Sequence, residues 1–482
     1  MKLLFAVAVA MATMVFTLMN ADGSVLTPLR TVSGTAKRTM RAPGTPKYSD
    51  VCFSARFRRP VSADDLHDTF RDATAFHATR LDWVYSSDPA WIAECKKRGF
   101  WFGGALNTIL TDAPKGKTRD QGRILDTYGQ RVAAPWMRSW NGYWGCVNSP
   151  QYRETFLAHA KLLIDGGADA IQMDDPGINA VAVRWGGCYC RYCKEKAKKK
   201  GIDLTQDMLA FQTESVKEFY GYVRHEIDRY AGHRVPWSSN NWDGRSGFPF
   251  YLFDYGIAEL PQKSAMPDEL YRKFSAAAKL GRRQIFTFVS TSIPLTRRVI
   301  ATAYACGGQI IVPYDVYNGD QPRIFGKPEE YADLYGFARA NSGYLDRYED
   351  AAVSGKGIID ARYESNPPVN IEIENVFAFV RAQPGRHDAP VVIHLVDWRD
   401  VPQPFVLKLR TDRFFGSKPI TVKLSVPSPF DQNVHAKASN RNGYSSLRRE
   451  SVLQTKVNGD YTYISLPALN PWGIIVVTPK EY

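Results

Sequence analysis

Acidic residues that directly follow apolar segments are the residues of this chain best suited to chemistry. Asp174 and Asp175 close the apolar segment Ala168–Asp174, and Glu259 closes a second one, Phe253–Glu259. Two carboxyl groups, one protonated and one ionised, can serve together as a general acid and as a base or nucleophile. The alternatives are a polar Asp-Asp-Pro-Gly turn for the first pair and a structural glutamate paired with an arginine for Glu259.

Polar and aromatic side chains follow or lie within other segments of the same kind. Their amide, carboxylate and ring groups suit the recognition of sugar hydroxyls and stacking on sugar faces. Each is equally consistent with a solvated loop residue or an ordinary core residue. The candidates are Asn241, Trp242 and Asp243 after Arg234–Asn240, Asp315 after Gln309–Tyr314, Asp82 within Thr79–Tyr85, and Trp140 in a long loop.

Carboxylates and aromatic rings with few histidines are typical of enzymes that hydrolyse glycosidic bonds. That chemistry needs two carboxyl groups about 5–10 Å apart across the bond. The sequence has no Gly-x-Ser-x-Gly elbow and no His-Glu-x-x-His motif, which argues against serine esterases and zinc proteases. The pattern predicts a glycosidase that uses Asp175 and Glu259, with Asp174 as the next choice, and that needs no catalytic cofactor.

A second group of residues could hold a metal ion. Cys188, Cys190 and Cys193 form a C-x-C-x-x-C cluster, and Cys146 ends the preceding long loop. Four thiolates favour a structural zinc, because they leave no open position for catalysis. Disulfides within the cluster or to Cys146 are the alternative in an exported protein.

The candidate residues need a scaffold that brings segment ends together. From 47 to 347, eight β-rich segments alternate with helical ones, which predicts a (β/α)8 barrel, and a doubly wound open sheet is the alternative. In a barrel, the carboxyl ends of the strands form one mouth, where the working residues meet. The sequence after Asp350–Gly357, read as a linker, predicts a small antiparallel β-sandwich over 358–482.

The first residues predict the compartment. Residues 1–21 combine Lys2, an apolar segment and a small-residue exit, as in a secretory signal peptide, although a membrane anchor is the alternative. Residues 22–46 are rich in Ser, Thr, Gly and Pro and predict a flexible leader. We therefore expect a secreted or periplasmic protein that has no membrane association after cleavage of the signal.

Composition and charge narrow the class further. Of 482 residues, 44% are hydrophobic and 23% charged, as in an ordinary globular protein. Lys and Arg number 62 against 49 Asp and Glu, giving a net charge of +13. The basic residues are scattered and no nucleic-acid motif is present, so a diffuse basic surface or an acidic polysaccharide partner fits better than nucleic acid.

The acidic pair Asp174-Asp175 ends the fourth β-rich segment and is followed by the cysteine cluster, with Cys146 upstream. This arrangement resembles the structural zinc site of glycoside hydrolase family 42 β-galactosidases. This resemblance implies retaining glycosidase chemistry, with Cys146, Cys188, Cys190 and Cys193 on zinc. The chain departs from that pattern, because Asp174-Asp175 stands where the family has Asn-Glu. It also has no glutamate in Phe286–Ser292, where the family has its strand-seven nucleophile.

An acid on strand four and another on strand six is closer in outline to α-galactosidase-like barrels, whose nucleophile is a strand-four aspartate. The main hypothesis is therefore an exported glycoside hydrolase acting on a polysaccharide or oligosaccharide. Two rivals remain: a carbohydrate-binding barrel without catalysis, and a lyase acting on acidic polysaccharide.

Overall fold

A computed structural model describes most of the chain. The described residues are 42–53, 69–109, 122–140, 142–241, 248–314, 326–363, 367–386, 388–410, 412–416, 418–438 and 443–480. The predicted signal peptide and all but the last residues of the predicted leader lie outside these ranges. Within them, no helix is long and apolar enough to cross a membrane.

Eight parallel strands form one sheet in sequence order, which confirms the predicted barrel. The backbone N–H of Val312, just past the eighth strand, donates to the carbonyl of Cys52 in the first at 2.9 Å and so brings the two edges together. A doubly wound sheet would instead reverse its strand order. The strands are β1 (Cys52–Phe53), β2 (Arg80–Val84), β3 (Trp101–Asn107), β4 (Ala170–Asp174), β5 (Trp237–Ser239), β6 (Tyr255–Leu260), β7 (Arg283–Phe288) and β8 (Gln309–Ile310).

Helices cover the outside of this sheet. Several begin with proline in the first turn, where its missing N–H costs no hydrogen bond. The helices of this part are α1 (Thr69–Ala75), α2 (Pro89–Lys97), α3 (Pro150–Asp165), α4 (Ile178–Ala182), α5 (Arg191–Lys200), α6 (Met208–Ala231), α7 (Pro267–Lys279), α8 (Ile293–Ala305), α9 (Pro328–Ala340) and α10 (Ser342–Leu345).

The long connections after β3 and β4 pack together on one side of the barrel mouth. They carry the short 3-10 helices Pro135–Trp140 and Val183–Trp185, together with α4 and α5. One continuous apolar core joins these connections to α3 and α6. The loops around the mouth therefore have a core of their own.

The C-terminal part forms two antiparallel sheets with a shared apolar core, as predicted. A four-stranded sheet has the order β10-β13-β17-β16, and a six-stranded sheet has the order β15-β14-β18-β12-β11-β9. Their bounds are β9 (Glu349–Ser354), β10 (Val369–Asn370), β11 (Val376–Ala382), β12 (Val391–Asp397), β13 (Phe405–Leu409), β14 (Ile420–Pro427), β15 (Arg448–Val452), β16 (Thr455–Asn458), β17 (Tyr461–Leu466) and β18 (Trp472–Pro479), with the helices α11 (Asp412–Phe415) and α12 (Gln432–Ala438).

The predicted linker is the main difference from the sequence analysis. Most of Asp350–Gly357 belongs to β9, which pairs with β11 at the edge of the six-stranded sheet. Ala351, Ala352 and Val353 are fully or almost fully buried there. Their apolar side chains are few and lie between polar residues and glycines, so the sequence pattern resembled a linker.

Barrel and β-domain share a core where α8 and α9 meet β12 and β18. The Trp472 ring packs on Tyr304 and Phe337 at centroid distances of 5.7 and 4.8 Å. The indole of Trp398 donates to the Thr302 hydroxyl at 2.9 Å. Because these contacts are buried, the two parts form one packed body rather than units joined by a flexible connection.

Candidate active site

Asp174 and Asp175 lie where β4 ends at the barrel mouth. The strand itself is buried, whereas both aspartates are half-buried and face the opening. The turn after them is held from outside: the Thr108 hydroxyl donates to the Asp175 carbonyl at 3.1 Å, and the Tyr220 hydroxyl donates to the Pro176 carbonyl at 3.0 Å. Asp175 has φ of +48°, a left-handed conformation that aspartate tolerates better than most residues.

The carboxylate of Asp174 accepts hydrogen bonds on both oxygens. Asn240, directly after β5, donates its amide to Oδ1 at 3.1 Å, and the backbone N–H of Asp175 donates to the same oxygen at 2.9 Å. The Tyr85 hydroxyl, directly after β2, donates to Oδ2. The Tyr85 oxygen in turn accepts from the indole of Trp83 at 3.0 Å. Asp174 thus accepts three hydrogen bonds, which fix the orientation of its carboxylate.

Asp175 has the opposite environment. Burial raises its pKa to about 8, and the negative charges of Asp174 and Glu259 act in the same direction. The indole of Trp136 donates to the Asp175 carboxylate and opposes this rise in pKa only in part. Asp175 is therefore mainly protonated at neutral pH and is placed to donate a proton.

Glu259 lies near the end of β6, beside Thr287 of β7. Its side chain is exposed, and its negative charge is one of the influences that raise the pKa of Asp175. A buried glutamate at this strand end would have a raised pKa and could act as the acid, but Glu259 is exposed. The raised pKa belongs to half-buried Asp175 instead.

Aromatic rings flank the two aspartates. Trp136 is 50% exposed and Tyr85 is 51% exposed, although each hydrogen bonds to one of the aspartates. Behind Trp136, Trp144 and Trp185 pack at ring-centroid distances of 6.1 and 5.4 Å. Flat exposed rings beside carboxyl groups offer surfaces on which a sugar can stack.

Asp82 does not lie at the mouth, contrary to the sequence analysis. Its carboxylate is fully buried inside the barrel, where it accepts hydrogen bonds from Arg80 and, at 3.0 Å, from the Tyr255 hydroxyl. Arg80 and Asp82 are two residues apart on β2 and therefore point to the same side of the sheet. Asp82 balances a buried arginine and has no access to a sugar.

The remaining predicted sugar-binding residues are described only in part. Asn241 follows β5, and its backbone N–H donates to the Ser239 carbonyl at 2.7 Å. Trp140 ends a 3-10 helix of the β3 connection, but its side chain lies outside the described residues. Trp242, Asp243 and Asp315 also lie outside the described residues.

Three residues of the site were not singled out as candidates: Tyr85, Asn240 and Trp136, although Asn240 and Trp136 belong to the same loops as the candidates Asn241 and Trp140. Tyr85 and Asn240 each directly follow a barrel strand, which is the same signal that pointed to Asp174 and Glu259. Trp136 lies in a loop that the sequence marks only as rich in tryptophan.

The four clustered cysteines come together beside α4. All four are buried, and their Sγ atoms lie within 4.8 Å of one another. Cys146 Sγ lies 3.5 Å from the sulfurs of Cys188 and Cys193 and 3.6 Å from that of Cys190. A tetrahedral zinc with bonds of about 2.3 Å separates its sulfurs by about 3.8 Å, whereas a disulfide bond measures about 2.05 Å. The described cysteines are all free thiols.

Side-chain amides surround the sulfurs. Asn148 donates to Cys193 Sγ at 3.3 Å, Asn179 to Cys146 Sγ at 3.4 Å, and Gln212 to Cys193 Sγ at 3.6 Å. Such N–H donors stabilise negative charge on thiolate ligands and fix their orientation. The donor set, the separations and the surrounding amides therefore all fit a closed four-thiolate metal site.

Solved structures, but no family profile or curated protein, are similar to this chain. No protein family profile and no curated protein matches the sequence significantly. Among solved structures, α-L-fucosidase isoenzyme 2 from Paenibacillus thiaminolyticus is similar over 90% of this chain and 100% of its own, with a TM-score of 0.55 and 10% identity.

Two further solved structures match less well. A GH27 β-L-arabinopyranosidase from Geobacillus stearothermophilus covers 89% of this chain and 83% of its own, with a TM-score of 0.45 and 10% identity. The maltogenic α-amylase AmyB from Thermotoga neapolitana covers 90% and 99%, with a TM-score of 0.49 and 10% identity. The resemblance to family 42 stays a prediction. At 10% identity the similarity to the fucosidase concerns the fold alone: this chain has a (β/α)8 barrel followed by a β-domain.

Proposed function

We propose that the protein is an exported glycoside hydrolase that cleaves a polysaccharide or oligosaccharide with Asp175 and Glu259 as its carboxyl pair. The observation that carries this proposal is the contrast at the barrel mouth, where burial and the charges of Asp174 and exposed Glu259 raise the pKa of Asp175 to about 8. Glycosidic hydrolysis needs one protonated and one ionised carboxyl group.

In the proposed reaction, Asp175 donates its proton to the glycosidic oxygen as the bond to the anomeric carbon breaks. The ionised Glu259 carboxylate then has one of two roles. It attacks the anomeric carbon in a retaining reaction, or it takes a proton from the attacking water in an inverting one. The carboxylate of Asp174, next to Asp175, stabilises the positive charge that develops on the sugar. The anomer of the first product distinguishes the two reactions.

Substrate binding rests on the rings and polar groups around the pair. Tyr85 and Trp136 are half-exposed beside the aspartates and would stack on sugar faces. Asn241, Trp242, Asp243, Asp315 and Trp140 remain proposed contacts at the same mouth, since they follow strands or lie in its long loops.

We also propose that Cys146, Cys188, Cys190 and Cys193 hold one zinc ion. Sulfur separations of 3.5–3.6 Å around Cys146 and the surrounding amide donors support this proposal. When bound, zinc would cross-link the two long loops of the mouth and would have no open position for substrate. Export rests on the apolar segment of residues 1–21.

The first experiment measures release of reducing ends from a panel of neutral and acidic glycans. Wild type is compared with Asp175→Asn, Glu259→Gln and Asp268→Asn, an exposed acid at the start of α7 that serves as the matched control. We expect release by wild type and the control, and a loss of about a thousandfold or more in the first two variants.

Other outcomes assign a different function. Activity within about tenfold of wild type in Asp175→Asn removes Asp175 from the pair. A product that absorbs in the ultraviolet indicates a lyase. Glycan binding without turnover, which survives in Asp175→Asn, indicates a binding protein.

A further inference from the structure

Asn179 is a fully buried polar residue that the proposed reaction does not use. We propose that Asn179 is a positioning residue that ties the four-cysteine site to the turn carrying Asp175, so that the sulfurs set the geometry of the proposed acid. This inference rests on the proposed function for its catalytic meaning, while the physical link can be measured without substrate.

Among the described residues, the side chain of Asn179 has three partners, and all of them belong to the cysteine site or its surroundings. Its amide nitrogen donates to Cys146 Sγ at 3.4 Å and to Gln212 Oε1 at 2.7 Å. Its carbonyl oxygen accepts from the backbone N–H of Val147 at 3.0 Å. Gln212 in turn donates to Cys193 Sγ at 3.6 Å and to the Cys188 carbonyl at 3.4 Å. Any shift of the sulfurs is therefore transmitted to Asn179.

The chain between Asp175 and Asn179 is a short turn in an unfavourable conformation. Asp175 and Ile178 both have positive φ, +48° and +35°, which for a β-branched residue such as isoleucine is disfavoured. Such a turn persists only where its surroundings hold it. Thr108 and Tyr220 hold its beginning through the carbonyls of Asp175 and Pro176, and Asn179 holds its end.

A cluster of three tryptophans forms a second link between the cysteine site and Asp175. Trp185 lies between α4 and the Cys188–Cys193 cluster, and its ring packs against Trp136 at 5.4 Å. Trp136 donates the hydrogen bond to Asp175, and Trp144, which packs on both rings, lies shortly before Cys146. Both loops that supply sulfurs thus also supply rings around the acid.

The chain offers a matched control for Asn179. Asn148 also donates its amide to a sulfur of the cluster, Cys193 Sγ, at 3.3 Å. Its other partners among the described residues are Ser215 of α6 and Lys196 of α5. Asn179→Ala and Asn148→Ala each remove one amide from the sulfurs, but only the first releases the turn after Asp175.

The test uses 19F NMR of protein labelled with 5-fluorotryptophan, with the Trp136 signal assigned by Trp136→Phe. Trp136 contacts Asp175, so its signal should shift with pH as Asp175 titrates, and Asp175→Asn should abolish that shift. The other titratable groups near Asp175 are Asp174, Glu259, Tyr85 and Tyr220.

We expect Asn179→Ala to move the midpoint of the Asp175 titration by about half a pH unit or more. Asn148→Ala should leave this midpoint unchanged within error. Both variants should keep the zinc content of wild type. The same midpoint shift should follow removal of zinc from wild type by a chelator and should reverse when zinc is returned. This second measurement applies even if Asn179→Ala does not fold.

An unchanged midpoint in Asn179→Ala, an equal shift in both variants, or no response to the chelator overturns the link. If wild type shows the titration and the shift but cleaves no glycan, the proposed function fails while the positioning role stands. If wild type is active, kcat of Asn179→Ala should fall about tenfold or more, with KM within about twofold, because the substrate-binding rings stay in place.

Discussion

Tyr85 donates its hydroxyl hydrogen bond to Asp174 across the barrel mouth, from the end of β2 to the end of β4. This contact differentiates two adjacent aspartates. Asp174 has hydrogen-bond donors on both oxygens, and its negative charge helps to raise the pKa of Asp175. A raised pKa suits Asp175 to the role of the acid.

The pH profile of kcat/KM should fall on its basic side near pH 8, where Asp175 loses its proton. Replacing Trp136 by Phe removes a donor that lowers this pKa, so the basic limb should move to higher pH. Asp174→Asn removes a negative charge that raises the pKa, so any remaining activity should lose its basic limb at lower pH. A basic limb that moves in the same direction in both variants would contradict the assignment of Asp175 as the acid.

Tyr85→Phe should separate the hydroxyl from the ring. Loss of the hydrogen bond to Asp174 should lower kcat by about tenfold or more, while KM changes little because the exposed ring is still present. Tyr85→Ala removes the ring as well and should raise KM. Steady-state kinetics on the substrate from the glycan panel gives both constants. A change in KM alone for Tyr85→Phe would argue against a role in orienting Asp174.

Asp175→Asn should stabilise the protein while it removes activity. The folded state raises the pKa of Asp175 from 3.8 to about 8, so it holds a proton that the unfolded chain loses between these values. The free energy of unfolding therefore falls as pH rises through this window, and the asparagine variant escapes that loss. The gain in Tm should be near zero at pH 4 and reach a few °C above pH 8, measured by calorimetry.

The elements of this molecule that depend on the local order of apolar and polar residues could be predicted from the sequence. Eight apolar segments that alternate with helices predicted the barrel, and acids at segment ends pointed to Asp175 and Glu259. The hydrogen bonds of Tyr85 and Asn240 to Asp174 join residues far apart in the chain, and no spacing encodes them.

Two other features depended on context that the sequence does not display. Asp82 is buried because Arg80, on the same side of β2, needs a partner inside the barrel. The few apolar residues of β9 become a strand because β11 offers an edge to pair with. In both cases the deciding partner belongs to the folded structure.

Metal analysis should find about one equivalent of zinc per chain in untagged protein. Cys190→Ser should lower both the zinc content and Tm, because a buried ligand is lost and the loops of the mouth lose their cross-link. Cys95→Ser is the control: Cys95 is equally buried, but on α2 and away from the cluster. Protein without metal and with oxidised thiols would support the disulfide alternative.

A buried histidine pair should make the contact between barrel and β-domain sensitive to acid. His77, in the turn before β2, and His435, on α12, share a hydrogen bond of 2.7 Å between Nε2 and Nδ1. Burial, together with the charges of His435 and Arg339, lowers the pKa of His77 from 6.5 to about 3. The unfolded chain therefore binds a proton below pH 6.5 that the folded chain does not bind.

The histidine pair makes its full contribution to the free energy of unfolding above pH 6.5, and this contribution is lost as pH falls toward 3. His77 has φ of +59°, so His77→Asn keeps a residue that tolerates this conformation while removing the titrating group. Tm of the variant should be lower at pH 7.5, since the contact is gone, but should decline less between pH 7.5 and 4.5 than that of wild type. His233→Asn, at an exposed site, should follow wild type at every pH. Parallel Tm curves for wild type and His77→Asn would show that acid acts elsewhere.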